Sequence, residues 1–386
     1  MVALGESMVA LVPTRPGPLA DVPSFSRAIG GAESNVACAM AALGHSARWV
    51  SRVGADGFGR CVLAGVAGYG VDVSAVRRDP SRPTGVYFRT AADRGSTAHE
   101  VAYYRAGSAA SAMSVANVDT KAVRDCRVLH LSGITAGLSA ECHDLLRHLT
   151  APDTDRPLIS FDINYRPALW RERDAPRTLL ELARRADIVF VGEDEAEEVW
   201  GVTGGPWAVR ELLPEPGVLV VKQGERGATA FHRAAGARAA GARGVPPLDR
   251  DRERGRAGAG GTWGTWDTGG TRAVPSGGGA SSGPGRATGP RPAAPRRAHE
   301  PTATPNPLAG DTAEPTPTTD AAGAFEPAPT VTAVSATGAG DSFAAGYLSA
   351  TLRALPPRQR LRHGHLLAAA TLTTPTDLAP PPARAH

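Results

Sequence analysis

The chain has 386 residues, 42% of them hydrophobic and 21% charged, with a formal net charge of +4. That is enough sequence for one large α/β domain or two medium ones with a sizeable core. Residues 232–330 alone carry twelve Arg against nine Asp or Glu, +3 of that charge, so the basic excess forms no patterned face for nucleic acid.

The opening MVALGESMVALVP carries Glu6 and no basic leader, and no run approaches ~18 consecutive apolar residues. This predicts a soluble, cytoplasmic protein with neither a secretion signal nor a membrane span. VALGES reads as a strand, SNVACAMAALG as a helix ending at Gly44, ARWVSRVG as a strand and GRCVLAGVAGYG as a helix ending at Gly70. TGVYFRTA and HEVAYYRAGSA alternate apolar and polar residues; they predict a small antiparallel β-flap, with strands near 84–90 and 99–106, attached to the main sheet. VLHLSG, LISFDIN, IVFVG and VLVVKQG are continuous apolar runs with helical stretches between several of them. Such runs are strands covered on both faces, and the alternation with helices predicts an α/β fold with a mostly parallel central sheet.

Residues 1–231 and 331–372 have ordinary globular composition, whereas 232–330 is dominated by Gly, Pro, Ala, Arg and Thr. A segment with so few large apolar residues cannot offset the cost of ordering its chain, which predicts a disordered insertion. Residues 373–386, with PTDLAPPPARAH, read as a second loose tail. Cys38, Cys61, Cys126 and Cys142 are scattered without C-x-x-C spacing, which suits reduced, mostly buried thiols better than a disulfide framework or a zinc site.

TGAGDSFAAGY at 337–347 sets three small residues and an acid in front of an apolar helical stretch. Small residues let a ligand approach the backbone, and the first N–H groups of a helix attract an anion. A carboxylate at that point opposes the attraction, unless the anion is a phosphoryl group in transit. Asp341 then accepts the proton of an attacking hydroxyl, while the N–H groups of Gly338, Ala339 and Gly340 stabilise the charge on the phosphate. From this stretch alone, an ordinary N-cap Asp fits equally well.

GGAESN at 30–35, with Gly31 and Asn35, precedes this motif by about 300 residues. Together the two closely resemble the paired signatures of the ribokinase-like (PfkB) carbohydrate kinases. Neither P-loop nor G-x-G-x-x-G spacing precedes a helix, and the resemblance explains how a nucleotide could be held without them. GGAESN, YYR and FDINYRPALW look most like 2-keto-3-deoxygluconate kinases. The strand VAYYRAG puts Tyr103 and Arg105 on one face, and Arg166 falls just past a strand end, where α/β sheets bind ligands. Two guanidiniums suit a substrate carboxylate.

The resemblance implies a ribokinase-like fold and transfer of the ATP γ-phosphate to a sugar acid, with a related sugar kinase such as a fructokinase, or a catalytically weak sugar-acid-binding protein, as the alternatives. It assigns substrate hydroxyls to Gly31 and Asn35, closure over the sugar to Tyr87 and Tyr103, and the phosphate and Mg2+ side to Asn164 and Glu195. In VVKQGERGATAF it places Lys222, Gly224 and Gly227 beside ATP; Gly227 also fits a plain strand-to-turn hairpin. It also leaves room for a monovalent cation and for a homo-oligomer joined through the flap. Because the insertion falls between this nucleotide loop and Asp341, it is expected to emerge beside the ATP site.

Overall fold

The unbroken apolar runs form the centre of the molecule. A computed structural model describes residues 1–15, 17–89, 101–171, 173–233 and 323–378. Its strands, in chain order, are β1 (Val2–Leu4), β2 (Met8–Pro13), β3 (Phe25–Gly30), β4 (Arg48–Val50), β5 (Arg52–Gly54), β6 (Arg77–Asp79) and β7 (Val86–Arg89). They continue with β8 (Val101–Tyr104), β9 (Val128–Ser132), β10 (Leu158–Asp162), β11 (Ile188–Gly192), β12 (Val218–Lys222), β13 (Ala228–His232) and β14 (Gly323–Glu326).

Eight strands make the main sheet, in the order β14-β13-β12-β11-β10-β9-β1-β4. The pairs from β12 to β4 are parallel, and β13 and β14 extend one edge antiparallel. Alternate residues of the parallel strands enter two different cores. Leu129, Phe161 and Val191 pack with helices Ala140–Leu149 and Ala175–Arg185 on one face, through Leu145 and Leu179. Val128, Phe190 and Val220 pack on the other face with Val36, Val62 and Leu348 of helices Ala32–Ala42, Gly57–Gly68 and Ala339–Leu352. Two covered faces are what continuous apolarity requires.

The flap is larger than the sequence suggested, and it is a sheet of its own. Its order is β3-β2-β7-β8, with β2 and β7 parallel and the outer pairs antiparallel. VALGES is therefore not one strand: the chain leaves the main sheet at Gly5, whose carbonyl accepts the Trp49 indole N–H at 3.1 Å, and re-forms as β2 in the flap. ARWVSRVG divides in the same way at Ser51, with β5 pairing β6 in a separate two-stranded sheet.

Two expected boundaries also move. β14 lies inside 232–330 and pairs with β13, so the packed chain resumes by Gly323. Residues 373–378 of the expected tail are placed, and Asp377 is 4% exposed. Residues 234–322 and 379–386, which hold the rest of the expected insertion and tail, lie outside the described residues, as do flap positions 90, 99 and 100.

The insertion does not emerge beside the catalytic end of the sheet. β13 runs antiparallel to β12, with Ala228 opposite Lys222 and His232 opposite Val218. Five residues of strand carry the chain about 13 Å back along the sheet. Phe231 faces Gly323 across the next pair, so the chain departs and returns at the far end.

Among the described residues no helix is long and apolar enough to cross a membrane.

Candidate active site

A cavity of about 370 Å³ opens where β10 and β12 end in Asp162 and Lys222. The flap walls it with Tyr87, Arg89 and Tyr103, and the start of helix Ala339–Leu352 closes the far side. Sheets of this kind offer their ligand sites at the carboxyl ends of the strands.

Gly338 caps this helix in the left-handed region, at φ +80°. A Cβ there would also meet the Asp377 carbonyl oxygen at 2.1 Å, so only glycine fits. In the first turn, the Ala339 N–H is held only by the Ala336 carbonyl at 3.4 Å, and the helix dipole adds positive potential. Asp341 sits one residue past Gly340, buried, with two amide partners. The Asn35 side-chain N–H donates to Oδ2 at 2.8 Å and the Asn164 side-chain N–H to Oδ1 at 3.4 Å. Asn164 reaches it from φ 42° just past β10, a conformation asparagine tolerates.

Burial raises the Asp341 carboxyl to about 7; the Asn35 bond opposes the rise and the nearby Asp162 charge adds to it. A carboxyl titrating near neutrality, beside N–H groups aimed at an anion, has the properties of a general base for phosphoryl transfer. The N-cap alternative is excluded, because Gly338 holds that position. The Asn35 side-chain oxygen Oδ1 is buried without a hydrogen-bond partner, and Asn35 lines the cavity.

Lys222 Nζ lies 3.1 and 3.3 Å from the two Asp162 oxygens and 4.0 Å from Glu195. Both carboxylates hold the ammonium charged against burial, so its pKa stays above the ordinary value. Burial pushes Glu195 up while Lys222 opposes it; its carboxylate also accepts the Gly192 N–H at 2.7 Å and the Tyr165 N–H at 3.1 Å. Among the described residues no group of three or more His, Cys, Asp or Glu is arranged as a metal cage. The Asp162 and Glu195 pair still fits magnesium, which commonly uses one or two carboxylates and takes its other ligands from water and phosphate.

In the flap, most polar groups already have internal partners. The Tyr87 hydroxyl donates to Asp377 Oδ2 at 2.6 Å, so it is not free to close over a sugar. Arg105 is ion-paired with buried Glu6, which also accepts the Ser108 hydroxyl. Arg105 and Arg166 both line the cavity as expected, but Arg105 already has a carboxylate partner within the protein. Arg166 is 48% exposed, donates to the Tyr165 carbonyl at 2.8 Å and lies 4.0 Å from Glu195.

The sequence matches the pfkB family of carbohydrate kinases over residues 1–249 and 317–384. The chain belongs to that family. A 2-dehydro-3-deoxygluconokinase of Bacillus subtilis is 36% identical over 232 residues, 59% of this chain and 71% of the relative. Fructokinase-1 of Oryza sativa is 34% identical over 238 residues, covering 60% of this chain and 73% of its own. The crystal structure of a PfkB protein from Polaromonas sp. JS666 superposes with a TM-score of 0.67 at 26% identity, covering 97% of this chain and 96% of that one. The protein is an ATP-dependent carbohydrate kinase with a ribokinase-like fold.

The kinase pocket gathers most of the residues that the sequence singled out. Gly31, Asn35, Asn164, Glu195, Lys222 and Asp341 line it, together with Gly338, Gly340 and the flap and arginine side chains already described. Gly224 and Gly227 do not line it. Gly227 sits at φ 138° against β14, where a Cβ would meet the Glu326 carbonyl oxygen at 2.3 Å, so its role there is packing. Sequence reasoning missed Glu6, Arg89, Asp162 and Asp377. Only Asp162 had a usable signal: an acid closing an apolar run at a carboxyl strand end.

Proposed function

We propose that the kinase transfers the γ-phosphate of ATP to the hydroxymethyl group of 2-keto-3-deoxygluconate. The hydroxyl proton passes to Asp341, its oxygen attacks the γ-phosphorus, and the bond to the bridging oxygen breaks to release ADP. The first N–H groups of helix Ala339–Leu352 stabilise the charge on the transferring group. Asp162 and Glu195 are the residues to hold the magnesium that accompanies ATP, which would neutralise phosphate charge. Lys222 lies beside both acids and adds a positive charge to the phosphate side.

The observation that carries the choice of sugar is Arg166, a half-exposed guanidinium in the same cavity as the buried base. A sugar carboxylate uses such a cation; a neutral hexose does not need it. The relative from B. subtilis supports this reading and the rice fructokinase supports the runner-up. Coupled assays with 2-keto-3-deoxygluconate and fructose decide between them: higher kcat/KM on the acid is expected, and higher kcat/KM on fructose overturns the assignment.

Tyr104, 68% exposed on the edge strand β8, supports association of two chains through the flap. Light scattering with Tyr104→Glu tests this, a shift of a wild-type dimer to monomer being the expected result.

A further inference from the structure

Glu33 belongs to the GGAESN motif, and the catalytic scheme does not use it. It lies in the first turn of helix Ala32–Ala42 and is 0% exposed. Its Oε1 accepts two short hydrogen bonds, from the Ser132 and Thr135 hydroxyls, each at 2.6 Å. Among the described residues its Oε2 has no hydrogen-bond partner. That oxygen fits only because Gly5 has no side chain, since a Cβ there would lie 2.2 Å from it. Ser132 ends β9 and caps helix Gly133–Leu138, its hydroxyl accepting the Ile134 N–H at 3.2 Å. Gly133 in turn packs against the chain just past β10, where a Cβ would meet the Ile163 carbonyl oxygen at 2.2 Å. Asn164 follows directly. One carboxyl therefore joins the two segments that supply the amides on Asp341, the helix start with Asn35 and the end of β10 with Asn164.

We propose that Glu33 is a positioning residue for phosphoryl transfer: through Ser132 and Thr135 it holds the amides of Asn35 and Asn164 at the spacing that brackets Asp341. Glu33 and Asn35 stand two positions apart on one helix, so the first reaches down to the strand ends while the second reaches Asp341. A shift of the helix start would move Asn35 with it. Burial favours the neutral form of the Glu33 carboxyl, against the two hydroxyl bonds and the Arg105 charge. An amide can copy its acceptor oxygen. The inference rests on Asp341 as the base but not on the identity of the sugar.

The test combines kinetics and NMR of full-length Glu33→Ala, Glu33→Gln and Thr135→Val, with whichever of 2-keto-3-deoxygluconate or fructose the wild type phosphorylates. In Glu33→Ala two buried hydroxyls lose their acceptor and Tm should fall, so kcat is taken per mole of folded enzyme. It should drop about tenfold, with KM for ATP within about twofold of wild type. Glu33→Gln should recover most of the loss. An unchanged kcat per folded enzyme means that Glu33 serves stability alone, and a failure of Glu33→Gln to recover turnover means that the acceptor oxygen is not what matters; either overturns the proposal. The chain has four asparagines, Asn35, Asn117, Asn164 and Asn306, so 15N-asparagine labelling gives a readout independent of turnover. The side-chain amide signals of Asn35 and Asn164 should move in Glu33→Ala and stay in place in Glu33→Gln. Asn117, which donates to the Ala112 carbonyl at 2.8 Å, is the control. Thr135→Val deletes one of the two bonds and should move the same signals less; it decides the question if Glu33→Ala does not fold. Signals of Asn35 and Asn164 that stay in place reject the proposal, whereas turnover by Asp341→Asn would reject the base and leave the placement of the amides to the NMR.

Discussion

The two walls of the pocket handle charge in opposite ways. At the helix end, Asp341 is bonded by two neutral amides and, among the described residues, paired directly with no cation. In the flap, Arg89 and Arg105 are each matched to a buried acid. A group that must gain and lose a proton is kept where its charge is costly, and groups that must hold a shape are kept where their charge is neutralised. The contrast predicts that damage to the first wall appears in rate and damage to the second in stability and sugar binding.

Asp341→Asn should break the comparison hardest. The amide keeps the shape but cannot accept the proton, so kcat should fall by ~10²–10⁴-fold. Sugar binding by calorimetry should be nearly intact and Tm unchanged or higher, since a buried carboxyl is removed. A variant with more than half of wild-type kcat removes Asp341 from the chemistry.

Arg105→Ala should act in the other currency. It strands Glu6 without its cation at 1% side-chain exposure, and breaking a buried pair costs ~3–5 kcal/mol. Urea unfolding should show that loss, and adding Glu6→Gln should recover part of it. An unchanged midpoint would mean that the pair is not formed in solution.

Arg166→Ala sharpens the contrast, because this arginine belongs to neither class. It should raise KM for the sugar acid by about 10- to 150-fold, from the loss of ~1.5–3 kcal/mol in charge-assisted bonding, and affect a neutral hexose far less. Equal effects on both sugars would favour the fructokinase reading.

The smallest expected kinetic change lies in pH dependence. Activity requires the Asp341 carboxylate, so it should fall as pH drops through about 7. The Asn35 bond favours the charged form; in Asn35→Ala the acid limb should move to higher pH, by about one unit or less. Movement to lower pH would contradict the hydrogen-bond geometry.

How far the sequence disclosed all this depended on burial pattern. The parallel strands were legible because both faces are covered, leaving unbroken runs such as IVFVG. β3 was not, since FSRAIG places Ser26 and Arg27 at exposed positions of an edge strand. Asp341 was legible from its small neighbours and the helix behind them. Asp377 was not: PTDLAPPP has the composition of a tail, and only the fold brings it to Gly338, 39 positions earlier in the sequence. The pairing of Arg105 was hidden for the same reason, because Glu6 lies 99 positions away.

The hairpin turn back along β13 makes the kinase a two-ended object. Catalysis occupies the rim where Lys222 ends its strand, while the break between His232 and Gly323 falls on the opposite rim, between neighbouring antiparallel strands. Two adjacent strand ends are the natural anchor for a two-residue Asn-Gly turn, and equally for a foreign domain whose termini lie close together. Replacing 234–322 with such a turn should leave kcat, both KM values and Tm unchanged. Grafting a fluorescent protein there should do no more harm, and lost turnover in either chimera would mean that the far rim communicates with the chemistry. The hairpin thus sets both strand ends that flank 234–322 a strand's length away from the rim that holds Lys222.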